Sequence, residues 1–246
     1  MDNTIPSLER AVRLVEAIER APAPLTAEDL ATLHVPRATL YRILRILVAA
    51  GWLVEQQGSV SSYSLGPAIR RMASTLPESD DLGSRAAPVM RRLSDVLGET
   101  IKLVVREGLE TVAVSVLHPD ADSRIATRLG SRLPLHVGAG QRLLLSRAPQ
   151  AIVDEVLARP LEKRGLKTIV DPRALQRDLE RLRRQEWALG RDEGAGGVGT
   201  VAALVHERGR PCRAALVVLY ILSGRKHADV LRMRDAVLAA AHSLST

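Results

Sequence analysis

The hydrophobic positions in the first quarter of the chain recur with helical spacing and then give way to two short strand-like runs. In residues 7–20 the apolar side chains predicted to share one helical face are Leu8, Ala11, Val12, Val15 and Ile18. Thr26 and Asp29 have the spacing of a helix start signal. A third helix is predicted from Pro36 to Gly51, because proline is tolerated in a first turn and glycine commonly follows a last one.

Two strands, Trp52–Gln56 and Ser62–Leu65, are predicted around a turn at Gly58. The element order is therefore three helices followed by a strand, a turn and a strand. This order is typical of a winged helix-turn-helix, whose third helix enters the major groove of DNA.

The third helix has two chemically different faces when its residues are placed about 100° apart. The positions predicted to face the core are Leu40, Ile43, Leu44 and Leu47. Those on the opposite side or at the helix start are Arg37, Ala38, Thr39, Tyr41, Arg42 and Arg45. Arginine makes bidentate hydrogen bonds to guanine, and a helix start binds phosphate, so this face suits DNA recognition. An ordinary solvated face is the alternative interpretation.

The remaining sequence predicts a mixture of helices and strands after a polar stretch, Pro77–Asp81. The predicted helices cover 67–76, 82–97, Ala139–Ser146, Ala151–Ala158, Arg173–Gln185 and His227–Ser243. The predicted strands are Ile101–Arg106, Thr111–Leu117, Ile125–Leu129, Val198–Val205 and Arg213–Ile221. This order favours an α+β domain with a largely antiparallel sheet. We expect a DNA-binding domain over 1–66, a linker helix and linker over 67–81, and a larger domain over 82–246.

Composition changes this picture only slightly. The 246 residues are 46% hydrophobic and carry 35 Lys and Arg against 28 Asp and Glu, a net charge of +7. Residues 1–100 hold 11 basic and 12 acidic side chains, which leaves 24 and 16 for residues 101–246. The surplus therefore lies outside the predicted DNA-binding domain, and the whole-chain charge does not locate a DNA site. With only 2% aromatic residues, single-strand binding by base stacking is not expected.

Several features of the sequence lead us to expect a cytoplasmic protein. The longest apolar run, Ala214–Leu222, has nine residues, about half of what a membrane span needs. No secretory signal pattern is visible at the N-terminus. Cys212 is the single cysteine, which excludes an internal disulfide and fits a reducing compartment.

The sequence resembles the IclR family of bacterial transcription regulators. The segments that carry this resemblance are Ser7–Ala11, Val35–Arg42, Leu44–Leu53, Tyr63–Gly66, Leu133–Gly140, Gly190–Glu193 and Gly197–Ala203. The resemblance implies a winged helix-turn-helix, a linker helix and a GAF-like effector-binding domain. It also implies homodimers or homotetramers on double-stranded operators. Two departures concern the DNA-binding domain: Ala38 stands where the family usually has serine, and the turn Leu33–Val35 lacks glycine.

The resemblance also implies where an effector would bind. The corresponding residues here are Leu135, His136, Gly138, Ala139, Gly140, Asp192, Glu193, Thr200, Val217 and Leu219. Family members often carry small polar residues on the late strands, where Thr200, Val217 and Leu219 stand here. A buried carboxylate without a partner is unfavourable in an apolar lining. We therefore expect an apolar or aromatic effector, or a protein that has lost ligand sensing.

Other constellations give no stronger candidate. The segment Gly194–Gly199 matches G-x-G-x-x-G but lacks the preceding strand and following helix of a dinucleotide site. The six histidines show no metal-ligand spacing, so neither a metal nor another cofactor is expected. The leading interpretation is an effector-modulated transcription regulator, not an enzyme. The alternatives are a redox sensor or enzyme that uses Cys212, and a DNA-binding protein that senses no ligand.

Overall fold

The computed structural model describes residues 5–21, 23–75, 82–119, 125, 127–207, 209 and 211–245. The chain divides into two compact units, an N-terminal unit, Met1–Asp80, and a C-terminal unit, Asp81–Thr246. The predicted polar linker, Pro77–Asp81, lies outside the described residues.

The N-terminal unit contains three short strands and four helices among its described residues. In chain order these are α1 (Pro6–Arg20), β1 (Leu25–Thr26), α2 (Ala27–Ala31), α3 (Arg37–Ala49), β2 (Leu53–Gln56), β3 (Ser62–Leu65) and α4 (Pro67–Ser74). The strands form an antiparallel sheet in the order β1-β3-β2. The predicted order of helices and strands is confirmed, and the two-residue strand β1 is an addition.

Helix α2 begins at the predicted signal. The Thr26 hydroxyl accepts a hydrogen bond from the Asp29 amide at 3.2 Å, and the Asp29 carboxylate accepts one from the Thr26 amide at 2.8 Å. These hydrogen bonds hold the pKa of Asp29 below its ordinary value. They fix the start of the helix that precedes α3.

The turn between α2 and α3 forms without a glycine. His34 adopts the left-handed region, with φ of 58°, and its amide donates to the Ala31 carbonyl at 3.0 Å. Histidine is one of the few residues other than glycine that enter this region with some frequency. The missing glycine therefore leaves the helix-turn-helix intact.

The predicted face of α1 is only partly correct. Leu14 and Ile18 are buried, whereas Leu8 and Val12 are 60% and 49% exposed. Positions 11, 14 and 18 form one helical stripe, and positions 8, 12 and 15 form the adjacent one. The core uses the first stripe, and the sequence pattern alone did not separate the two.

The C-terminal unit is built around one six-stranded antiparallel sheet in the order β6-β5-β4-β9-β8-β7. Its strands are β4 (Thr100–Glu107), β5 (Glu110–Leu117), β6 (Arg132–Pro134), β7 (Trp187–Arg191), β8 (Val198–Val205) and β9 (Ala214–Ile221). Its helices are α5 (Leu82–Leu97), α6 (Ala139–Ser146), α7 (Gln150–Ala158), α8 (Pro172–Leu182) and α9 (His227–Leu244). The predicted α+β class with a largely antiparallel sheet is confirmed.

One predicted strand is wrong and two short ones were missed. Ile125 and residues 127–129 are not in a strand. The edge strands β6 and β7 lie instead at Arg132–Pro134 and Trp187–Arg191. Short edge strands carry little sequence signal, because their conformation depends on the neighbour with which they pair.

The two faces of the large sheet are covered differently. One face, which includes Ile101 and Leu103, packs against α5 and α9. The opposite face packs against α6, and α8 packs on α6 from outside. Part of this second face, beside α6, borders a cavity.

Candidate functional site

Helix α3 presents the two faces that the sequence predicts. Leu40, Ile43 and Leu44 are buried, and Leu47 packs partly against the same core. The predicted contact residues that are exposed are Arg37, Ala38, Tyr41, Arg42 and Arg45, and Thr39 is half-buried. The Arg37 guanidinium lies 5.9 Å from the centre of the Tyr41 ring, so the helix start carries an ordered cationic and aromatic surface.

A groove of about 920 Å³ lies between α3 and the hairpin formed by β2 and β3. Tyr41, Arg42 and Arg45 line its helical side, and Val60 and Ser61 line its hairpin side. Val60 and Ser61 were not predicted from the sequence, because hairpin-tip residues have no pattern of their own. A helix with outward arginines beside a projecting hairpin is the geometry of a winged DNA-binding module.

The C-terminal unit contains a cavity of about 360 Å³ beside the second face of the sheet. Its lining combines an apolar floor with several charged and polar groups. The lining residues are Lys102, Ile125, Thr127, Arg128, Ser131, Arg132, Leu133, Val137, Gly138, Gln141, Glu193, Gly194, Ala195, Val198, Thr200, Val217 and Leu219. Five of the predicted effector residues are among them: Gly138, Glu193, Thr200, Val217 and Leu219.

The other five predicted effector residues lie around the cavity and are absent from its lining. Leu135 is buried in a separate cluster with residues of α7 and α8. The Nε2 atom of His136 lies 2.9 Å from the Glu162 carbonyl oxygen. The Asp192 carboxylate accepts a hydrogen bond from the Gly197 amide at 2.7 Å, which closes a loop.

Ala139 and Gly140 open α6 and pack against the sheet. Ala139 is buried in the same core as Val217. A β-carbon at Gly140 would come within 2.7 Å of the Val217 side chain, so glycine permits the close approach of helix and sheet. Ala139 and Gly140 therefore lie behind the cavity lining and determine how closely α6 approaches the sheet.

A buried clamp beside the cavity is formed by Arg142 of α6, Asp178 of α8 and Glu193 of the loop after β7. The Arg142 guanidinium donates to both Glu193 carboxylate oxygens, at 2.9 and 2.6 Å, and also to the Asp178 carboxylate. Glu193 further accepts a hydrogen bond from the Gly138 amide at 3.0 Å. Both oxygens of Glu193 are therefore engaged within the protein.

The side chain of Arg142 is 3% exposed. Burial lowers the pKa of Arg142, but its hydrogen bonds and ion pairs with Glu193 and Asp178 outweigh this effect and raise the pKa above its ordinary value. The clamp ties the start of α6 to the loop after β7.

Lys102 is the functional candidate that the sequence analysis missed. This residue on β4 is 6% exposed, lines the cavity, and has no acidic partner among the described residues. Burial lowers its pKa to about 8. The lining is therefore not wholly apolar, although Val217 and Leu219 form an apolar part of it. The sequence feature that could have identified Lys102 is its place as the one lysine in the otherwise apolar run Ile101–Val105.

Cys212 lies in a setting that suppresses thiol chemistry. Its sulfur is 3.5 Å from the Val205 carbonyl oxygen, and it packs beside the core of the second sheet face. Burial raises its pKa to about 11. The thiolate is the nucleophilic form, so this cysteine is a poor nucleophile at neutral pH.

We expect Cys212→Ala to keep the DNA affinity of the wild-type protein, because the thiol is protonated and makes only weak hydrogen bonds. DNA binding by fluorescence anisotropy, before and after mild peroxide treatment, measures this. Peroxide-dependent loss of binding in the wild type, absent from the variant, would support the redox interpretation instead.

Together, a winged DNA-binding module and a ligand-sized cavity in a second unit define a ligand-responsive transcription regulator. The sequence profile of the bacterial transcriptional regulator IclR C-terminal domain matches residues 75–246, and that of the IclR helix-turn-helix domain matches residues 7–57. The chain belongs to the IclR family. It is a DNA-binding transcription regulator with a C-terminal effector-binding domain, and the family is one of regulators, not enzymes.

Individual relatives agree with this assignment. The chain is 30% identical over 203 residues to the HTH-type transcriptional repressor AllR of Escherichia coli K12, covering 82% of this chain and 74% of AllR. A putative IclR regulator from Silicibacter sp. TM1040 shares 26% identity, with a TM-score of 0.89 and coverage of 97% and 94%. An IclR homologue from Microbacterium hydrocarbonoxydans, complexed with 4-hydroxybenzoate, shares 25% identity, with a TM-score of 0.80 and coverage of 97% and 98%.

No described helix combines the length and apolar character needed to cross a membrane. No three His, Cys, Asp or Glu side chains of the described part of the chain converge as metal ligands would.

Proposed function

We propose that this regulator binds a double-stranded operator through the exposed face of α3. The residues that form this interface are Arg37, Ala38, Thr39, Tyr41, Arg42 and Arg45. The observation that carries the proposal is the outward placement of Tyr41, Arg42 and Arg45 on one side of a groove whose other side is the hairpin tip. Arg42 and Arg45 supply base contacts, and the helix start supplies phosphate contacts.

The proposed regulator acts as a homodimer or homotetramer in the cytoplasm. One recognition helix reads only a few base pairs, and two copies on successive half-sites supply the missing specificity. We further propose a function for each part of the chain. Residues 1–66 recognise DNA, residues 67–81 connect the two domains, and residues 82–246 bind the effector and form the oligomer.

The proposed effector is a small molecule with an apolar or aromatic body. The cavity volume of about 360 Å³ falls in the range of small-ligand sites. The 4-hydroxybenzoate complex of the Microbacterium homologue supports an aromatic class. In this proposal Gly138, Glu193, Thr200, Val217 and Leu219 surround the effector. The residues that lie outside this lining and hold it in place are Leu135, His136, Ala139, Gly140 and Asp192.

Effector binding changes operator affinity by favouring one of two arrangements of the protein. A ligand shifts such an equilibrium only by its difference in affinity for the two states. The relatives named as repressors favour repression as the direction of control.

The test selects an operator from random duplexes and then measures its affinity by fluorescence anisotropy at fixed salt. We expect saturating 4-hydroxybenzoate, used as the probe, to change operator affinity by about 5- to 150-fold. Sequence-specific binding that no aromatic ligand changes would favour the DNA-binding protein without ligand sensing. Absence of any preferred duplex would overturn the proposed function.

A further inference from the structure

Two polar groups of the cavity lack partners of their own. Lys102 has no counter-ion among the described residues, and the buried Oγ1 atom of Thr200 has no hydrogen-bond partner. The two residues lie on the same face of the sheet, because Lys102 on β4 pairs with Val217 on β9, and Thr200 on β8 pairs with Leu219 on β9. The strand β9 therefore separates them, and its apolar side chains lie between them.

The distance between these two positions suits one small molecule. Adjacent strands are about 4.8 Å apart, so β4 and β8 are separated by about 10 Å. The lysine side chain spans part of that distance. A ligand with one polar group at each end and an apolar middle matches this spacing and covers Val217 and Leu219.

None of the described acidic side chains around the cavity neutralises Lys102. The residues that pair with it across β5 and β9 are the apolar Val116 and Val217. Among the cavity's other lining residues, Arg128 and Arg132 are cationic, and Arg132 pairs with Glu107 at 3.0 Å. The acidic lining residue Glu193 is held by Arg142 in the clamp. Burying an ammonium without a counter-ion is unfavourable, so this arrangement favours a ligand that brings the missing charge.

We propose that Lys102 determines the specificity of the cavity by binding the single negative charge of an amphipathic ligand. The ligand class is a monocarboxylate with an apolar, ring-sized body and a second polar group that hydrogen-bonds to the Thr200 hydroxyl. This inference rests on the proposed function, because it takes the cavity to be the effector site. It narrows the expected apolar or aromatic effector to one that also carries a single negative charge.

The proposal has a consequence for pH. Only the protonated amine binds an anion, and burial brings the pKa of Lys102 to about 8 in the free protein. Acid binding is therefore strongest below pH 8 and weakens as the pH rises above it. A neutral ligand of the same shape shows no such decline over this range.

The experiment compares 4-hydroxybenzoate with its neutral analogue 4-hydroxybenzamide by calorimetry, using the full chain. We expect the wild type to bind the acid at least tenfold more tightly than the amide. Lys102→Met removes the charge with little change in volume, so it abolishes this preference. Lys102→Arg retains the charge and keeps a preference for the acid. Lys163→Met is the matched control, because Lys163 is exposed and does not line the cavity.

A second readout separates a ligand-binding role from a structural one. Without ligand, Lys102→Met is expected to raise the melting temperature, because it removes an unpaired buried charge. A lysine that stabilised the fold would give the opposite shift. Thr200→Val is expected to reduce binding of 4-hydroxybenzoate and leave that of benzoate unchanged.

Several outcomes would overturn the inference. These are equal binding of acid and amide by the wild type, unchanged acid preference in Lys102→Met, and no acid binding at millimolar concentration. Operator binding without ligand is measured in the same preparations. If operator binding persists and a neutral aromatic ligand releases the operator, the inference fails and the proposed function stands. If no operator is bound, the proposed function fails by itself.

Discussion

Arg142→Met is expected to destabilise the C-terminal unit by about 3–5 kcal/mol, because Glu193 would keep its buried charge without a cation and Asp178 would keep only the exposed Arg181 as a partner. Urea unfolding followed by circular dichroism measures this as a lower midpoint. Glu193, which Arg142 holds, also lines the cavity, so 4-hydroxybenzoate binding is expected to weaken in the part of the sample that remains folded.

Arg181→Ala is the matched control for this variant. Arg181 also donates to the Asp178 carboxylate, at 2.6 Å, but its side chain is 53% exposed. Exposed ion pairs contribute about 0–1 kcal/mol, so this variant should unfold close to the wild type. Equal midpoints for the two variants would show that burial of the clamp does not determine its contribution.

Arg42→Ala is expected to reduce operator affinity by about 5- to 150-fold, which corresponds to about 1–3 kcal/mol for one base contact. The side chain is exposed and lies on the groove side of α3, so the fold should be unaffected. Anisotropy titrations at one fixed salt concentration measure the change, because protein–DNA affinities depend strongly on salt.

Arg184→Ala is the matched control for the DNA interface. Arg184 is exposed in the C-terminal unit, after α8, and its loss removes the same charge from the whole protein. We expect little change in operator affinity. If both variants bound DNA equally well, or lost affinity equally, α3 would not be the base-reading element.

The recognition helix was predictable because its signals are local. The apolar positions Leu40, Ile43 and Leu44 fix the buried side of α3, and the 3.6-residue repeat then places Tyr41 and Arg42 outward. The capping pair Thr26 and Asp29 likewise lies within four residues of sequence.

The cavity was less predictable, because its residues come from distant parts of the chain. Gly138, Glu193 and Thr200 were found through the family resemblance, whereas Lys102 was not. A lysine in a strand is usually exposed. Only the pairing of β4 with β5 on one side and β9 on the other shows that Lys102 lies in the interior of the sheet. The role of Glu193 also depended on Arg142, which lies 51 residues away in sequence.

The sequence by itself determined the local elements of this protein: the helix faces, the start of α2, and the hairpin after α3. It also determined that the surplus positive charge lies outside the DNA-binding domain. The tertiary structure decided which stripe of α1 is buried, that Cys212 is protonated, and that Lys102 lies unpaired beside an apolar floor. Periodicity specifies a face within one element, whereas burial and pKa depend on the elements that pack against it.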